Sequence, residues 1–383
     1  MTTATIPALL PVYAQLPVRP VRGHGSWLVD DQGVEWLDAY GGHAVASTGH
    51  SHPAVVKAIA DQAATLLFYS AALPHPLREQ LAEMLAALCP RPLDHAFFCN
   101  SGAEANENAL GLARKRTGRQ RVVSVRGGWH GRTPGVLACT DGARYEEAAK
   151  RSGIPLSTKV PFNDIAAIEA AVDETVAAVI VEPVQGIQGA RDCSPEFLRA
   201  ARAACTRAGA ALIFDEIQCG TGRCDAFTAA EAYGVVPDAL TMAKGLAAGL
   251  PIGAVMITPW LAEGLAIGDL GSTFGGGPVV CAAAIANLDV IEKDGLVANA
   301  AEVGRYIREE ALGLGVHGVQ GRGLLLGLRL GRPAAEAQKA LLAHRILAGA
   351  SSDPEVLRIM PPLNFSLAEA DLLLTALDKV ISA

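Results

Sequence analysis

Along the chain, short apolar runs rich in β-branched residues alternate with longer stretches in which apolar positions recur every three to four residues. The runs are His95 to Cys99, Arg121 to Val125, Val176 to Glu182, Ala211 to Asp215, Ala239 to Met242 and Ala254 to Ile257. Segments of helical length, such as Ser101 to Thr117 and Pro195 to Ala208, lie between several of them. That order predicts crossover connections and a largely parallel sheet, so the chain reads as α/β. From Val280 a helix-rich stretch runs to about Leu314, with a bend at Asp294-Gly295. A strand-like run, Gly323 to Leu330, follows, then a helix from Ala334 to about Leu347 and a terminal helix after Ser366. Near the start, Gly25 to Leu37 reads as a hairpin turning at Asp30-Asp31-Gln32-Gly33. The expected organisation is a large sheet domain, residues 46–285, flanked by a smaller domain drawn from both chain ends, 1–45 and 286–383.

Length and composition narrow the class. With 383 residues, half of them hydrophobic, the chain has room for about two domains at ~150 residues each and needs no stapling. Its 40 glycines are about one residue in ten against a usual ~7%, which suits tight turns and small-residue packing. A net charge of −7, 32 basic against 39 acidic residues, gives no general attraction to nucleic acid or anionic membrane. The uncharged stretches are broken by Gly, Pro and polar residues before they reach the ~18 apolar residues of a membrane span. The opening MTTATIPALLP has no basic region ahead of an apolar core, so no secretory signal is read and a cytoplasmic location is expected. The eight cysteines contain no Cys-x-x-Cys pair and fit reduced structural thiols. His50 and His52 read as a polar turn before Pro53, and no metal site is expected.

Three segments carry candidate chemistry. Asn100-Ser101-Gly102-Ala103-Glu104 follows an apolar strand, and Ser101 with Glu104 three residues on forms a capping box. A helix that starts there aims its free N–H groups at the strand's end, where they could hold a phosphate, although an ordinary capped helix has the same pattern. Leu212 to Gln218 is an apolar strand that ends in Asp215, Glu216 and Gln218; carboxylates so placed could bind a metal or a ribose or act as acid and base. Lys244 stands just past the strand Ala239 to Met242, among small residues that would desolvate it, lower its pKa and make it a Schiff-base nucleophile. A solvated lysine is the plainer alternative. Their combination changes the weight, because strand ends are where open α/β sheets place ligands. An anion site, a carboxylate for a ring nitrogen and a lysine for an aldehyde are what pyridoxal phosphate requires. No G-x-x-x-x-G-K-[ST], G-x-S-x-G or H-E-x-x-H pattern competes.

The runs NSGAEANENAL, GGWHGRTPG, EPVQG, LIFDEIQCGTGR, PDALTMAKGL and GSTFGGGP, in this order across nearly the whole chain, resemble the class III aminotransferases of fold type I. Among these they are most similar to the acetylornithine and succinylornithine branch. The resemblance implies the pyridoxal-phosphate-dependent transferase fold, a large, mostly parallel seven-stranded sheet domain with a smaller α+β domain. It implies a homodimer with shared sites, acting on small molecules. Lys244 would hold the cofactor through a Schiff base and shuttle a proton, Asp215 would pair with the ring nitrogen, and Gln218 would bond the ring oxygen. Ser101, Gly102 and Ala103 would hold the phosphate, with Thr273 reaching it from the neighbouring subunit. Trp129 stands where the family has a stacking Phe. Arg132 would grip a substrate carboxylate, Ser272 would touch substrate, and Arg358 in LRIMPPL resembles the arginine that takes the α-carboxylate of glutamate. The implied reaction moves the terminal amine of an N²-acylornithine to 2-oxoglutarate by a ping-pong route.

Departures from the family pattern bear on the substrate. Ile187 replaces the customary glutamate of QGEGG, which masks the glutamate-binding arginine in many ω-aminotransferases. The segments Tyr40-Gly41-Gly42-His43 and Phe68-Tyr69-Ser70 look more like a branch associated with succinylornithine, and Gly277 replaces a usual Asn. An unmasked Arg358 would favour an added carboxylate, with an effect of about 1 to 3 kcal/mol for a desolvated charge-assisted contact. N²-succinylornithine therefore stands beside N²-acetylornithine as a candidate. Ornithine, 4-aminobutyrate and N-acyllysine are further ω-amine candidates. A cofactor-free binding protein on the same fold would be expected to have lost Lys244 or Asp215, and both are present.

Overall fold

The computed structural model describes residues 8–382. Residues 1–7, on which most of the leader reading rests, lie outside it. Seven strands form the main sheet, in the order His95–Cys99, Gly253–Ile257, Ala239–Met242, Ala211–Asp215, Val176–Val181, Arg121–Val125 and Thr158–Val160. Gly253–Ile257 is antiparallel to both neighbours, and the remaining pairings are parallel. Val176–Val181 explains why the central strands read as unbroken apolar runs. Its successive side chains point to opposite faces, so Ala178 and Ile180 pack in one core and Val179 and Val181 in another. Both faces are covered, as a parallel sheet requires. Ala105, Ala109 and Ala113 of the helix Gly102–Thr117 fill the first core, and Phe197, Leu198 and Ala201 of Pro195–Ala208 the second.

A separate core lies under the helices Leu296–Gly313, Ala334–Leu342 and Leu367–Ser382. It covers a three-stranded antiparallel sheet of Gly318–Arg322, Leu325–Arg329 and Val356–Ile359. Beside it a four-stranded sheet joins the chain ends: Pro20–His24, Trp27–Asp30 and Glu35–Asp38 pair in sequence, and Ile346–Leu347 adds in parallel to the last. The helix Pro278–Lys293 runs through residue 285 without a break, with Cys281 and Ala284 in the large core and Val290 and Ile291 in the smaller one. Among the described residues no helix is long and apolar enough to cross a membrane.

One expectation needs correcting, and two are extended. The helix from Ala334 stops at Leu342, Arg345 takes a left-handed φ of 59°, and Ile346–Leu347 is a strand. The N-terminal hairpin has a third strand, Pro20–His24. Leu325–Arg329 has an antiparallel partner, Gly318–Arg322, which its glycines and arginine concealed in the sequence.

Candidate active site

Ser101 caps the helix Gly102–Thr117, its hydroxyl accepting from the Glu104 N–H at 3.2 Å. Glu104 reaches back in turn, but to the N–H of Asn100, at 2.5 Å. The first turn is thus fixed against the end of His95–Cys99. Gly102 is required there, because a Cβ would stand 2.6 Å from the Ile217 side chain.

Asp215 ends the strand Ala211–Asp215 and is buried. Its Oδ2 accepts from Asn106 Nδ2 at 2.7 Å and lies 2.8 Å from His130 Nδ1, while Oδ1 accepts from the Ile217 N–H at 3.2 Å. The Thr241 hydroxyl donates to Asn106 Oδ1 at 2.7 Å, which fixes the Asn106 amide so that its NH₂ faces Asp215. His130 thus turns Nδ1 to the carboxylate, and among the described residues its buried Nε2 has no partner.

Lys244 follows Ala239–Met242 and opens a short 3-10 turn with φ 36°. The turn is tied down from two elements, by Ser47 Oγ donating to the Gly245 carbonyl at 2.7 Å and by Asn287 Nδ2 donating to the carbonyls of Gly245 and Leu246. Burial lowers the Lys244 pKa, and Arg358 adds to the effect, whereas Asp215 and Glu182 oppose it. Gln218 donates to the His43 carbonyl at 3.3 Å, and among the described residues its buried Oε1 has no partner.

Ser101, Trp129, Glu182, Asp215, Gln218 and Lys244 all line one cavity of about 360 Å³, and Gly102, Ala103 and Ile187 are also on its wall. Trp129 stands edge-on to Tyr145 at 4.8 Å. Other sequence candidates lie apart. Arg132 is exposed, its guanidinium 5.3 Å from the Trp129 ring. Thr273 is exposed, and Ser272 accepts from Asn100 Nδ2 at 3.1 Å, one residue removed from the cavity. Arg358 is buried and lines a neighbouring cavity of about 1120 Å³. It donates to the carbonyls of Ala350 and Gly186 and to the Tyr40 hydroxyl, and among the described residues it has no carboxylate partner. Gly186 precedes Ile187, so the two cavities share a thin wall.

Sequence reasoning assigned no role to Glu182, His130 or Asn106. Glu182 follows Val176–Val181, and the pairing of Phe214 with Val181 brings it level with Asp215 on the next strand. Its carboxylate accepts from the N–H groups of Trp129 at 2.6 Å and Gly186 at 3.3 Å. Burial first, and then the Asp215 charge, raise its pKa to about 7. The available signal was its place just past a fully apolar strand, the same signal that singled out Asp215.

An anchored aspartate, a desolvated strand-end lysine and a capped helix start around one cavity, on a mostly parallel seven-stranded sheet, define a pyridoxal-phosphate-dependent aminotransferase. The chain belongs to the class-III aminotransferases: the family described as Aminotransferase class-III matches residues 11–381. It is 43% identical over 376 residues to the acetylornithine aminotransferase of Streptomyces coelicolor, covering 94% of this chain and 90% of that one. It is 41% identical over 388 residues to the enzyme of the same name from Methanocaldococcus jannaschii, covering 97% and 96%. Its fold matches the ornithine aminotransferase of Toxoplasma gondii, whose structure has partial occupancy of PLP at the active site. The TM-score is 0.91 at 29% identity, over 98% of this chain and 92% of that one.

Proposed function

We propose that this enzyme transfers the terminal amine of N²-acetyl-L-ornithine to 2-oxoglutarate, yielding N-acetylglutamate 5-semialdehyde and glutamate in arginine biosynthesis. The observation that carries the reading is 41–43% identity over more than nine-tenths of the chain to acetylornithine aminotransferases. The cavity fits pyridoxal phosphate. The capped helix start suits its phosphate, and the orphaned Gln218 Oε1 marks a polar occupant.

When bound, the cofactor supplies an aldehyde for the amine and a ring that accepts the electron pair left when the C–H bond breaks. Lys244 holds it and moves the proton at the substrate carbon, a task helped by the lowered pKa of its amine. Asp215, oriented by Asn106 and His130, keeps a proton on the ring nitrogen. Ser101, Gly102 and Ala103 hold the phosphate, Trp129 covers the ring, and Gln218 bonds the ring oxygen. Arg132 and Ser272 take the donor end of the substrate, and Arg358 takes the α-carboxylate of glutamate or 2-oxoglutarate.

The active form is a homodimer in which Thr273 reaches the phosphate of the neighbouring subunit. Supporting this, Thr273 is exposed beside Phe274, which is 63% exposed and packs at 5.1 Å on the exposed Phe68, while Leu67 and Leu73, near Phe68 in sequence, are exposed as well. All eight cysteines are free and buried, which supports a reducing, cytoplasmic setting.

One observation favours N²-succinylornithine as a second reading: Ile187 puts no carboxylate beside Arg358, which leaves that cation open to an extra anion. The test is kcat/KM with 2-oxoglutarate for acetylornithine, succinylornithine, ornithine and 4-aminobutyrate. The acylornithines are expected to exceed the other two. A higher value for 4-aminobutyrate or ornithine overturns the assignment. A preference for the acetyl compound that Ile187→Glu leaves unchanged removes the second reading.

A further inference from the structure

The turn between the two cavities is wound left-handed. Gly41, Gly42, His43 and Ala44 have φ values of 59°, 56°, 68° and 64°, and two of the four are not glycine. Runs of this kind are disfavoured for L-residues and persist where their surroundings impose them, often at functional positions. Here Asp38 Oδ1 accepts from the N–H groups of Tyr40 at 3.0 Å and Gly41 at 2.9 Å, and a Cβ on Gly41 would stand 2.7 Å from the Met360 carbonyl. The His43 carbonyl receives Gln218.

The turn places the His43 ring over a short chain of polar atoms. Arg358 Nη2 donates to the Tyr40 hydroxyl oxygen at 2.9 Å, and that oxygen lies 2.6 Å from His43 Nδ1. The Tyr40 oxygen accepts from Arg358, and in the Nε2–H tautomer of neutral His43 the single Tyr40 hydroxyl proton goes to Nδ1. Among the described residues that line the cavity of about 1120 Å³ are these three side chains with Arg19 and Gln338, and none of those described is an aspartate or glutamate. Charges facing His43 from other elements are Arg358 and Lys244, both disfavouring a cationic imidazole. Desolvation acts in the same direction and is the larger cause. Asp38, beneath the turn, is already paired with His50 at 2.8 Å.

We propose that His43 is a positioning residue that makes carboxylate binding at Arg358 proton-linked. The inference rests on the reading of Arg358 as the acceptor's carboxylate site. Arg358 directs Nε to the Ala350 carbonyl, Nη1 to the Gly186 carbonyl and Nη2 to Tyr40, which leaves one N–H on each Nη nitrogen for an arriving carboxylate and the Tyr40 hydroxyl as the nearest further donor. The Tyr40 hydroxyl is in place, but its proton is committed to His43. When one proton passes from solvent to His43 Nδ1, His43 becomes the donor to the Tyr40 oxygen, and the Tyr40 proton turns to the carboxylate. No other bond changes. The bound negative charge in turn offsets Arg358 and favours the cationic imidazole.

The sign follows from linkage. The free enzyme holds His43 neutral above a pKa that lies below the ordinary 6.5, and the complex holds it protonated to a higher pH. Between those two values acceptor binding takes up one proton, so KM for 2-oxoglutarate rises with pH by up to about tenfold per unit. The experiment measures that KM on the holoenzyme between about pH 5.5 and 8.5 for the wild type, His43→Asn and Tyr40→Phe. Asn tolerates the left-handed backbone and does not titrate. The expected result is that both variants lose the His43-dependent part of the rise, with kcat at saturating 2-oxoglutarate changed far less than KM. A His43→Asn profile that superimposes on the wild type overturns the proposal. Arg358→Ala separates the two readings. An unchanged KM for 2-oxoglutarate overturns the carboxylate site and the proposal with it, whereas a raised KM beside an unaltered His43→Asn profile overturns the proton link alone.

Discussion

Glu182 and Asp215 stand level on paired parallel strands, and the consequence for Glu182 can be measured. Its carboxyl titrates at about 7 in the folded protein against an ordinary 4.5, so over that interval the native state holds a proton that unfolding releases. The stabilisation from this group is complete below about pH 4.5 and is lost as pH rises through 7. Urea midpoints measured across this range should decline more steeply for the wild type than for Glu182→Gln, and parallel declines would refute the account. For Lys244 the expected outcome of Lys244→Ala is turnover reduced on the order of 10⁴-fold or more, with loss of the cofactor absorbance that depends on the lysine. Ile187→Glu sets a carboxylate beside the Gly186–Arg358 contact and is expected to raise KM for 2-oxoglutarate about tenfold, checked by acceptor saturation curves. Asp215 and Lys244 were legible in the sequence because each ends an apolar run, where open sheets place ligands. Asn106 and His130 were not, because their meaning depends on Thr241 and Asp215, which lie far off in sequence.

The helix start at Ser101 is the element the site depends on most, since it orders one wall of the cavity. Ser101→Ala removes the cap and is expected to lower stability by about 1 kcal/mol and to weaken cofactor retention, read by dialysis against cofactor-free buffer. An unchanged retention would mean that the helix start does not hold the phosphate. Gly186 has a different task. Any Cβ there would collide with Gln218, so Gly186→Ala should displace the Gln218 amide and loosen cofactor binding while the fold persists by circular dichroism. Elements with apolar faces were readable because period and burial agree. Pro20–His24 was not, because its side chains stay largely exposed and carry no apolar alternation. Ile346–Leu347 continued the helical pattern of Ala334–Leu342, and only the edge of Glu35–Asp38, about 300 residues earlier, draws it into a strand.

At the scale of the whole molecule, the exposed rings of Phe68 and Phe274 stand beside Thr273 in an apolar surface that a second copy would cover. Phe274→Asp is expected to shift the protein toward monomer in sedimentation and to lower activity in parallel, with secondary structure retained. A monomeric wild type that remains fully active would refute the shared site. The local order of strands and helices, the capped helix start, the strand-end aspartate and lysine and the family motifs could all be read from the amino-acid sequence, because each depends on neighbours a few residues away. The pairing of the chain ends, the alignment of Glu182 with Asp215, the wall between the two cavities and the link from Arg358 through Tyr40 to His43 join residues up to about 340 positions apart. Hydrophobic periodicity identifies which face of an element is buried but not which distant element covers it, so these contacts exist only once the sheets have packed.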